Sequence, residues 1–250
     1  VLINNDVEVT ENWLYPMLMG LEQNKEIGSC QPKILSYENK NYFEYAGACG
    51  GYLDLLNYPF CRGRIFDHLE KDSGQHNTPK EIFWSSGACM MIRNEVFKKA
   101  GGFDETFFAH MEEIDLCWRI KGLNFSNFCF PDSEVYHLGG GTLQYDNPKK
   151  TYLNFRNNLI MILKNESRIK LFYKLPFRFI LDLFASIFLL VSKKSINHFI
   201  SVFKAYFFIL LRIPYYFIKK RNVVKRNSLE DKIIIPIKYY LEGKRRYMDL

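Results

Sequence analysis

The stretch FFAHMEEIDLCWRIKG, residues 107 to 122, constrains the fold of this chain more than any other segment. Phe107, Phe108, Leu116 and Trp118 give it a face that must be buried, yet Glu112, Glu113 and Asp115 crowd into four positions near its start. A helix beginning here reconciles the two. Its first turn favours acidic side chains, because the helix dipole is positive at that end. The crowding also has a chemical consequence. Carboxylates packed together in an apolar setting raise one another's pKa, so that one can act as a base near neutral pH. Asp115 and Arg119 are four apart and suited to a helix ion pair, a structural role.

Around this segment short apolar strands alternate with helices. Residues 1 to 4 read as a strand that breaks off into Asn4, Asn5, Asp6 and Glu8. Thr10 is placed to cap a helix whose Trp13, Leu14, Met17, Leu18 and Leu21 share one face. EIGSCQPKILSY (26 to 37) reads as a strand, the Gly- and aromatic-rich 45 to 66 as a hairpin or ordered loop, and 67 to 80 as a flexible polar excursion. EIFWSSGACMMI (81 to 92) is strand-like and interrupted at Gly87, and NEVFKKAGGF is a short helix stopped by Gly101 and Gly102. A strand near 126 to 130, a loop to His137 and a helix from about Lys150 to Asn165 complete this part.

Charge divides the chain. Residues 1 to 150 carry 14 Lys/Arg against 21 Asp/Glu and residues 151 to 250 carry 20 against 6, which together give the net +7. An acidic first part and a basic, aromatic second part suggest two jobs, the second directed at an anionic surface. The six cysteines form no CxxC pair, and Cys89 and Cys117 lie in apolar segments as small buried hydrophobes. Reduced thiols are the expectation.

Taken in order, VLINNDVEVT, WSSGACMMIR (84 to 93), the carboxylate stretch, EVYHLGGGT (134 to 142) and YLNFRNN (152 to 158) resemble the family 2 glycosyltransferases of the GT-A fold, especially bacterial enzymes of surface-polysaccharide synthesis. The resemblance covers roughly residues 1 to 165. It implies an α/β fold in which this chain supplies the C-terminal part of a GT-A domain. In that family the nucleotide-binding half precedes the opening strand, so the chain is expected to lack its N-terminal βαβ units and to be inactive, or nearly so, by itself.

The resemblance also assigns roles. Asp6 aligns with the second acid of a DxD-like motif, at a strand end where α/β sheets present ligands. Asn4 stands where the first acid is usual, and Glu8 is placed to compensate. His137 matches a late histidine that completes the metal shell in some GT-A enzymes, which implies a divalent cation, Mg²⁺ or Mn²⁺. The bare residue pattern leaves open a turn-forming Asp6 and a His137 bonded to a nearby carbonyl. Gly139, Gly140 and Gly141 would let the backbone approach a diphosphate. The family's acidic pair aligns with Glu112 and Glu113, making Glu113 the base, with Glu112 as the alternative oriented by Glu113. Trp84 is expected to stack on a sugar face or else to pack in the core, and Ser86 and Gly87 to line the donor-sugar and acceptor pocket. Arg156 and Asn157 match a late Arg-Asn pair whose guanidinium suits phosphate oxygens. Asp54, with Arg62 and Arg64, is placed to touch substrate.

After Asn165 the character changes. Residues 166 to 222 are strongly apolar but broken by charge, and 223 to 250 form a basic tail. At 100° per residue Lys174, Arg178, Asp182 and Lys193 fall on one narrow stripe, and Asn197, Ser201, Lys204 and Arg212 on another. The uncharged runs, 183 to 192 and 205 to 211, are shorter than the ~20 residues that span a bilayer. The profile is that of amphipathic helices in a membrane interface, flanked by Lys193, Lys194, Lys219, Lys220, Arg221, Lys225 and Arg226 for anionic headgroups. A soluble helical subdomain fits the same pattern. A nucleic-acid surface does not, because the aromatics sit at core spacing.

The expectation is therefore an inverting, membrane-associated glycosyltransferase at the cytoplasmic face of the plasma membrane. It would move a hexose or deoxyhexose from a nucleotide-sugar to a glycan or lipid-linked acceptor. The rivals are a nucleotidyltransferase of related architecture and a non-catalytic, membrane-bound glycan-binding domain.

Overall fold

The computed structural model describes residues 1–139, 147–219, 221 and 230–250. Its elements in chain order are β1 (Leu2–Ile3), β2 (Val7–Val9), α1 (Leu14–Gln23), β3 (Ile27–Ser36), β4 (Gly51–Leu53), β5 (Pro59–Cys61), β6 (Arg64–Ile65), β7 (His68–Leu69), β8 (Lys80–Ile82), β9 (Cys89–Ile92), α2 (Asn94–Ala100), α3 (Glu112–Gly122), β10 (Ser126–His137), α4 (Pro148–Asn165), α5 (Arg168–Ser192), α6 (Ile196–Leu210), α7 (Ile213–Ile218) and α8 (Ile235–Tyr240). The fold is α/β, with a mixed sheet and a helical C-terminal region.

The larger sheet has the order β1-β9-β3-β10-β2, with β8 also on β10. β3 and β10 run parallel; β9 is antiparallel to β3, β1 to β9 and β2 to β10. β10 is longer than predicted. A bulge between Phe130 and Glu134 lets it pair with β8 over Asn127–Cys129 and with β2 over Val135–His137, so His137 ends a strand instead of a loop. The chain after β3 doubles back along it, with the Glu44 amide donating to the Ile34 carbonyl at 3.0 Å. The smaller sheet, β4-β5-β6-β7, forms from the Gly-rich segment; it also takes in part of the polar excursion, which is ordered. Thr10 caps no helix: its hydroxyl donates to the Glu134 carbonyl at 2.7 Å, and α1 starts at Leu14.

One apolar core runs from Phe43, Phe60 and Trp118 through Leu159–Leu163 of α4 to Leu171, Ile209, Tyr216 and Ile235. The C-terminal helices thus share the core of the sheet. The expected basic tail folds back as well. Ile235 donates its amide to Asp54 at 2.8 Å, and Tyr247 stacks on Tyr52 with ring centroids 5.4 Å apart.

α5 is a single helix of 25 residues, long and apolar enough to cross a membrane by length and composition. Its polar stripe points the unexpected way. Lys174, Arg178, Asp182 and Ser186 are buried, while Phe172, Phe177, Phe184 and Val191 are exposed. The reason is a polar seam against the turn after β4. Lys174 meets Glu166 at 2.5 Å, Arg178 pairs with Asp182 at 3.3 Å, and Asp182 accepts from the hydroxyls of Tyr58 (2.6 Å) and Tyr206 (2.7 Å). Of the basic flank, Lys220, Lys225 and Arg226 lie outside the described residues.

Candidate active site

The topology gathers the ends of several strands. β3 and β10 are parallel, so both finish on one edge, and β1, which runs antiparallel to β9, ends where β9 begins. The Asn4 amide donates to the Ala88 carbonyl at 2.9 Å, and the Leu138 amide donates to the Asp6 carbonyl at 3.0 Å. Asn5, Asp6, Val7, Glu8, Tyr37 and Leu138 thereby line an open concavity of about 270 Å³.

His137 ends β10 beside this concavity, between two carboxylates. Its Nε2 lies 3.2 Å from Asp6 Oδ1 and its Nδ1 3.2 Å from Glu44 Oε2. Burial pulls the imidazole pKa down, but Glu44 and then Asp6 more than offset this, and the pKa is raised. Asp6 Oδ1 and both ring nitrogens are buried without a hydrogen bond of good geometry.

Among the described residues no group of three or more His, Cys, Asp or Glu is arranged to hold a metal. A divalent cation with bonds of ~2.1 Å places neighbouring ligand atoms about 3 Å apart, which matches the separation of Asp6 Oδ1 and His137 Nε2. Those two residues fit as protein ligands to an ion that takes its remaining oxygens from phosphate and water, as Mg²⁺ commonly does. Glu44 then holds the far side of the imidazole, the usual partner of a metal-bound histidine. The sequence offered no local signal for Glu44, since only the strand pairing brings it to His137. Glu8, expected to compensate for Asn4, instead pairs at the surface with Lys40 at 2.7 Å.

The second half of the site is the head of α3. Glu112 and Glu113 are partly buried, and each has an Oε2 shielded from water with no hydrogen-bond partner. Burial raises both pKa values; burial and then the neighbouring Glu112 push Glu113 up to about 8. Glu113 lies against Gly87, where an added Cβ would sit 3.6 Å from the Glu113 Cβ. Four residues on, Cys117 accepts from the Ser85 amide at 3.3 Å, so this face of α3 rests on the 84–88 segment. Ser86 turns its hydroxyl inward: it accepts from the Ala88 amide at 3.2 Å, and its own amide donates to Gln31 at 2.8 Å. Gly87 faces Glu113 and Ala88 bonds Asn4, so the acidic strand end and the buried carboxyl pair occupy neighbouring segments.

The loop leading into α3 is strained. Phe108, His110 and Met111 have φ of 63°, 69° and 73°, a left-handed region that costs a residue with a Cβ about 1–3 kcal/mol. Asn157 pins it, its amide group reaching the carbonyls of Phe107 (2.9 Å), Ala109 (2.7 Å) and His110 (2.8 Å). Arg156 donates to Asn157 Oδ1 at 2.8 Å and to the Phe107 carbonyl at 3.1 Å. The pair expected at a diphosphate thus also holds the carboxylate loop. His110 stands in the same loop. Burial, and then the charge of Lys150, lower its pKa to about 4, so it is neutral at pH 7.

Trp84, Asp54, Arg62 and Arg64 all lie inside the fold. Trp84 is 4% exposed, covers Gly51 and donates its indole N–H to the Tyr52 carbonyl at 3.0 Å, which is the core-packing role. Asp54 is buried and bonds the amides of Leu56, Tyr58 and Ile235, so it closes a turn and anchors α8. Arg62 and Arg64 are buried too, Arg62 on the Cys49 carbonyl at 2.8 Å. Asp115 pairs with Arg119 at 2.9 Å as predicted and is joined by Asn165 and Arg221. Gly140 and Gly141 lie outside the described residues.

No family model matches the chain. It is 28% identical over 164 residues to the low-salt glycan biosynthesis hexosyltransferase Agl10 of Haloferax volcanii, covering 64% of this chain and 49% of that protein. It is 36% identical over 58 residues to the N-acetylglucosaminyl-diphospho-decaprenol L-rhamnosyltransferase of Mycobacterium tuberculosis, covering 23% and 19%. It is 30% identical over 146 residues to the O-antigen biosynthesis protein RfbC of Myxococcus xanthus, covering 55% and 10%. Among solved structures it is similar to GalNAc-T7 with UDP, GalNAc and Mn²⁺, at 17% identity and a TM-score of 0.46, over 66% of this chain and 31% of that one. The chain thus spans about half, or less, of the length of these curated relatives. Its sequence is similar to glycosyltransferases of glycan and polysaccharide biosynthesis.

Proposed function

We propose that the protein is an inverting glycosyltransferase, transferring a hexose or deoxyhexose from a nucleotide-sugar to a glycan or lipid-linked acceptor in surface-polysaccharide synthesis. The observation that carries this reading is the carboxyl pair Glu112–Glu113, held against Gly87 with unpartnered buried oxygens, one segment away from Asp6 and His137. The names of the hexosyl- and rhamnosyltransferase relatives support the reaction class, and the decaprenol-linked acceptor of one supports the lipid-linked choice.

The acceptor hydroxyl oxygen forms a bond to the anomeric carbon while the bond from that carbon to the diphosphate oxygen breaks, leaving the electron pair on phosphate. Glu113 takes the hydroxyl proton. Its raised pKa suits the task, because a base whose pKa lies near the working pH combines proton affinity with a usable ionised fraction. Burial makes most of that rise, and the like charge of Glu112 adds to it. Attack by the acceptor in one displacement inverts the anomeric centre. Asp6 and His137 would hold a divalent cation, Mg²⁺ or Mn²⁺, which would supply positive charge to the departing diphosphate. Asn157 and Arg156 keep Glu113 aimed by holding the loop before it.

The test is Glu113→Gln in the full-length protein, with transfer from a panel of nucleotide-sugars as the readout. Transfer should fall by ~10²–10⁴-fold while donor binding persists. An unchanged rate removes Glu113 as the base, whereas no sugar transfer by the wild type from any donor favours the nucleotidyltransferase reading, in which a phosphate oxygen is the nucleophile.

A further inference from the structure

The outward face of α5 and α6 is apolar along its whole length. At 100° per residue Ile169, Tyr173, Ile180, Phe184, Ile187 and Val191 fall within a face about 60° wide, opposite the buried polar seam. All six are exposed, Phe184 at 65% and Val191 at 70%. α6 continues the surface with Ile196, Ile200, Phe203, Phe207 and Leu210. Proteins that stay in water rarely leave so large a contiguous apolar area uncovered.

The charge that α5, α6 and α7 themselves expose has one sign. From Ser167 to Lys219 the sequence contains a single acidic residue, Asp182, and it is buried in the seam. Arg168, Lys193, Lys194, Lys204, Arg212 and Lys219 are all exposed. A second copy of the chain would set these positive rims against each other. Anionic headgroups complement them, while acyl chains take the aromatic face.

We infer that the α5–α6 face docks the protein in the plane of an anionic lipid surface. The seam excludes a spanning orientation for α5. Between Lys174 and Asp182, about 12 Å of helix, its inner side bonds Asn57, the Leu56 carbonyl and Tyr58 of the sheet domain, so lipid cannot surround it. The surface is also tied to the site: Thr151 at the head of α4 bonds His198 of α6 at 2.8 Å, and the same α4 carries Arg156 and Asn157. Docking would therefore fix the carboxylate loop relative to the headgroup layer. This inference does not depend on the transfer reaction and is tested without it.

The experiment is vesicle flotation of the full chain, with phosphatidylcholine vesicles and with phosphatidylcholine–phosphatidylglycerol vesicles. The wild type should float with the anionic vesicles and at least ~10-fold less with the neutral ones. The double variant Phe184→Glu/Val191→Glu should lose flotation ~10-fold or more while keeping its circular dichroism and Tm, since both side chains are exposed. Lys193→Glu/Lys194→Glu should weaken binding to the anionic vesicles alone. The inference is overturned if the wild type stays at the bottom of both gradients or if the Phe184/Val191 variant floats unchanged. It is equally overturned by a lipid-indifferent, concentration-dependent dimer that the Phe184/Val191 variant dissolves in sedimentation velocity.

Discussion

Along α5 the buried acids are answered at every turn. Asp182 accepts from Tyr58, Tyr206 and Arg178, and Glu166 accepts from Lys174 and the Ser167 amide. At the head of α3, by contrast, Glu112 and Glu113 keep buried oxygens that nothing bonds, and burial raises both pKa values. Taking a carboxylate out of water costs several kcal/mol unless partners compensate. The α5 seam supplies partners, so its charges serve the fold and set how the apolar face is presented. At α3 only backbone groups of Met111, Glu113 and Ile114 answer Glu113, and one oxygen of each carboxyl stays unbonded, so the fold carries part of the cost, as functional sites often do.

Exchanging the charges in the two places should therefore have opposite consequences, and activity gives the largest. Glu113→Gln should cost ~10²–10⁴-fold in sugar transfer, yet leave stability equal or higher, because a neutral amide replaces an uncompensated carboxyl. Asp182→Ala should do the reverse to the fold. It strands Arg178 in the interior and should destabilise by about 3–5 kcal/mol in urea unfolding. Should Glu113→Gln unfold the protein while Asp182→Ala leaves it intact, the assignment of roles is inverted.

Titration sharpens the same contrast. In the folded chain the Glu113 pKa rises from 4.5 to about 8, so between those values the fold holds a proton that the unfolded chain has released. Fewer protons on the unfolded chain mean that stability falls as pH rises. The contribution is full below pH 4.5 and is lost as pH climbs towards about 8. Denaturation midpoints across this range should decline in the wild type and flatten in Glu113→Gln. Transfer should run the other way, rising over the same range as the base ionises. A wild-type midpoint independent of pH would remove the premise.

Much of this was legible in the sequence, and the losses have identifiable causes. The carboxylate helix and the paired Asp115–Arg119 follow from periodicity and side-chain type, whereas Asp6 sits in a turn before β2, a strand that was not expected. The stripe Lys174–Arg178–Asp182 was legible as a stripe, but a 3.6-residue period says which residues share a face and not whether that face turns inward. What decides it is Tyr58, more than a hundred positions away. Glu44 was invisible for the same reason, because it meets His137 only through backbone pairing along β3. Arg156 and Asn157 were legible as a notable pair. Their task was not, because the carbonyls they hold belong to a loop of left-handed Phe, His and Met that no glycine announces.

That loop yields the next smaller effect. Asn157→Ala removes the side-chain donor of the Ala109 and His110 carbonyls beside the strained residues and should cost about 1–3 kcal/mol, with faster amide exchange over 107–111 and a lower kcat at unchanged KM. A KM effect alone would instead place Asn157 on the substrate. The smallest expected effect belongs to Glu8, whose side chain is about half exposed and already paired with Lys40. Exposed pairs of this kind contribute little, so Glu8→Gln should leave Tm and Mn²⁺ affinity, followed by electron paramagnetic resonance, unchanged. Asp6→Asn and His137→Ala should each weaken Mn²⁺ binding by ~10-fold or more, because the first removes the carboxylate charge and the second the imidazole donor. A Glu8→Gln loss equal to that of Asp6→Asn would mean that Glu8 leaves Lys40 for the ion, and the acid missing at Asn4 would then be replaced from β2.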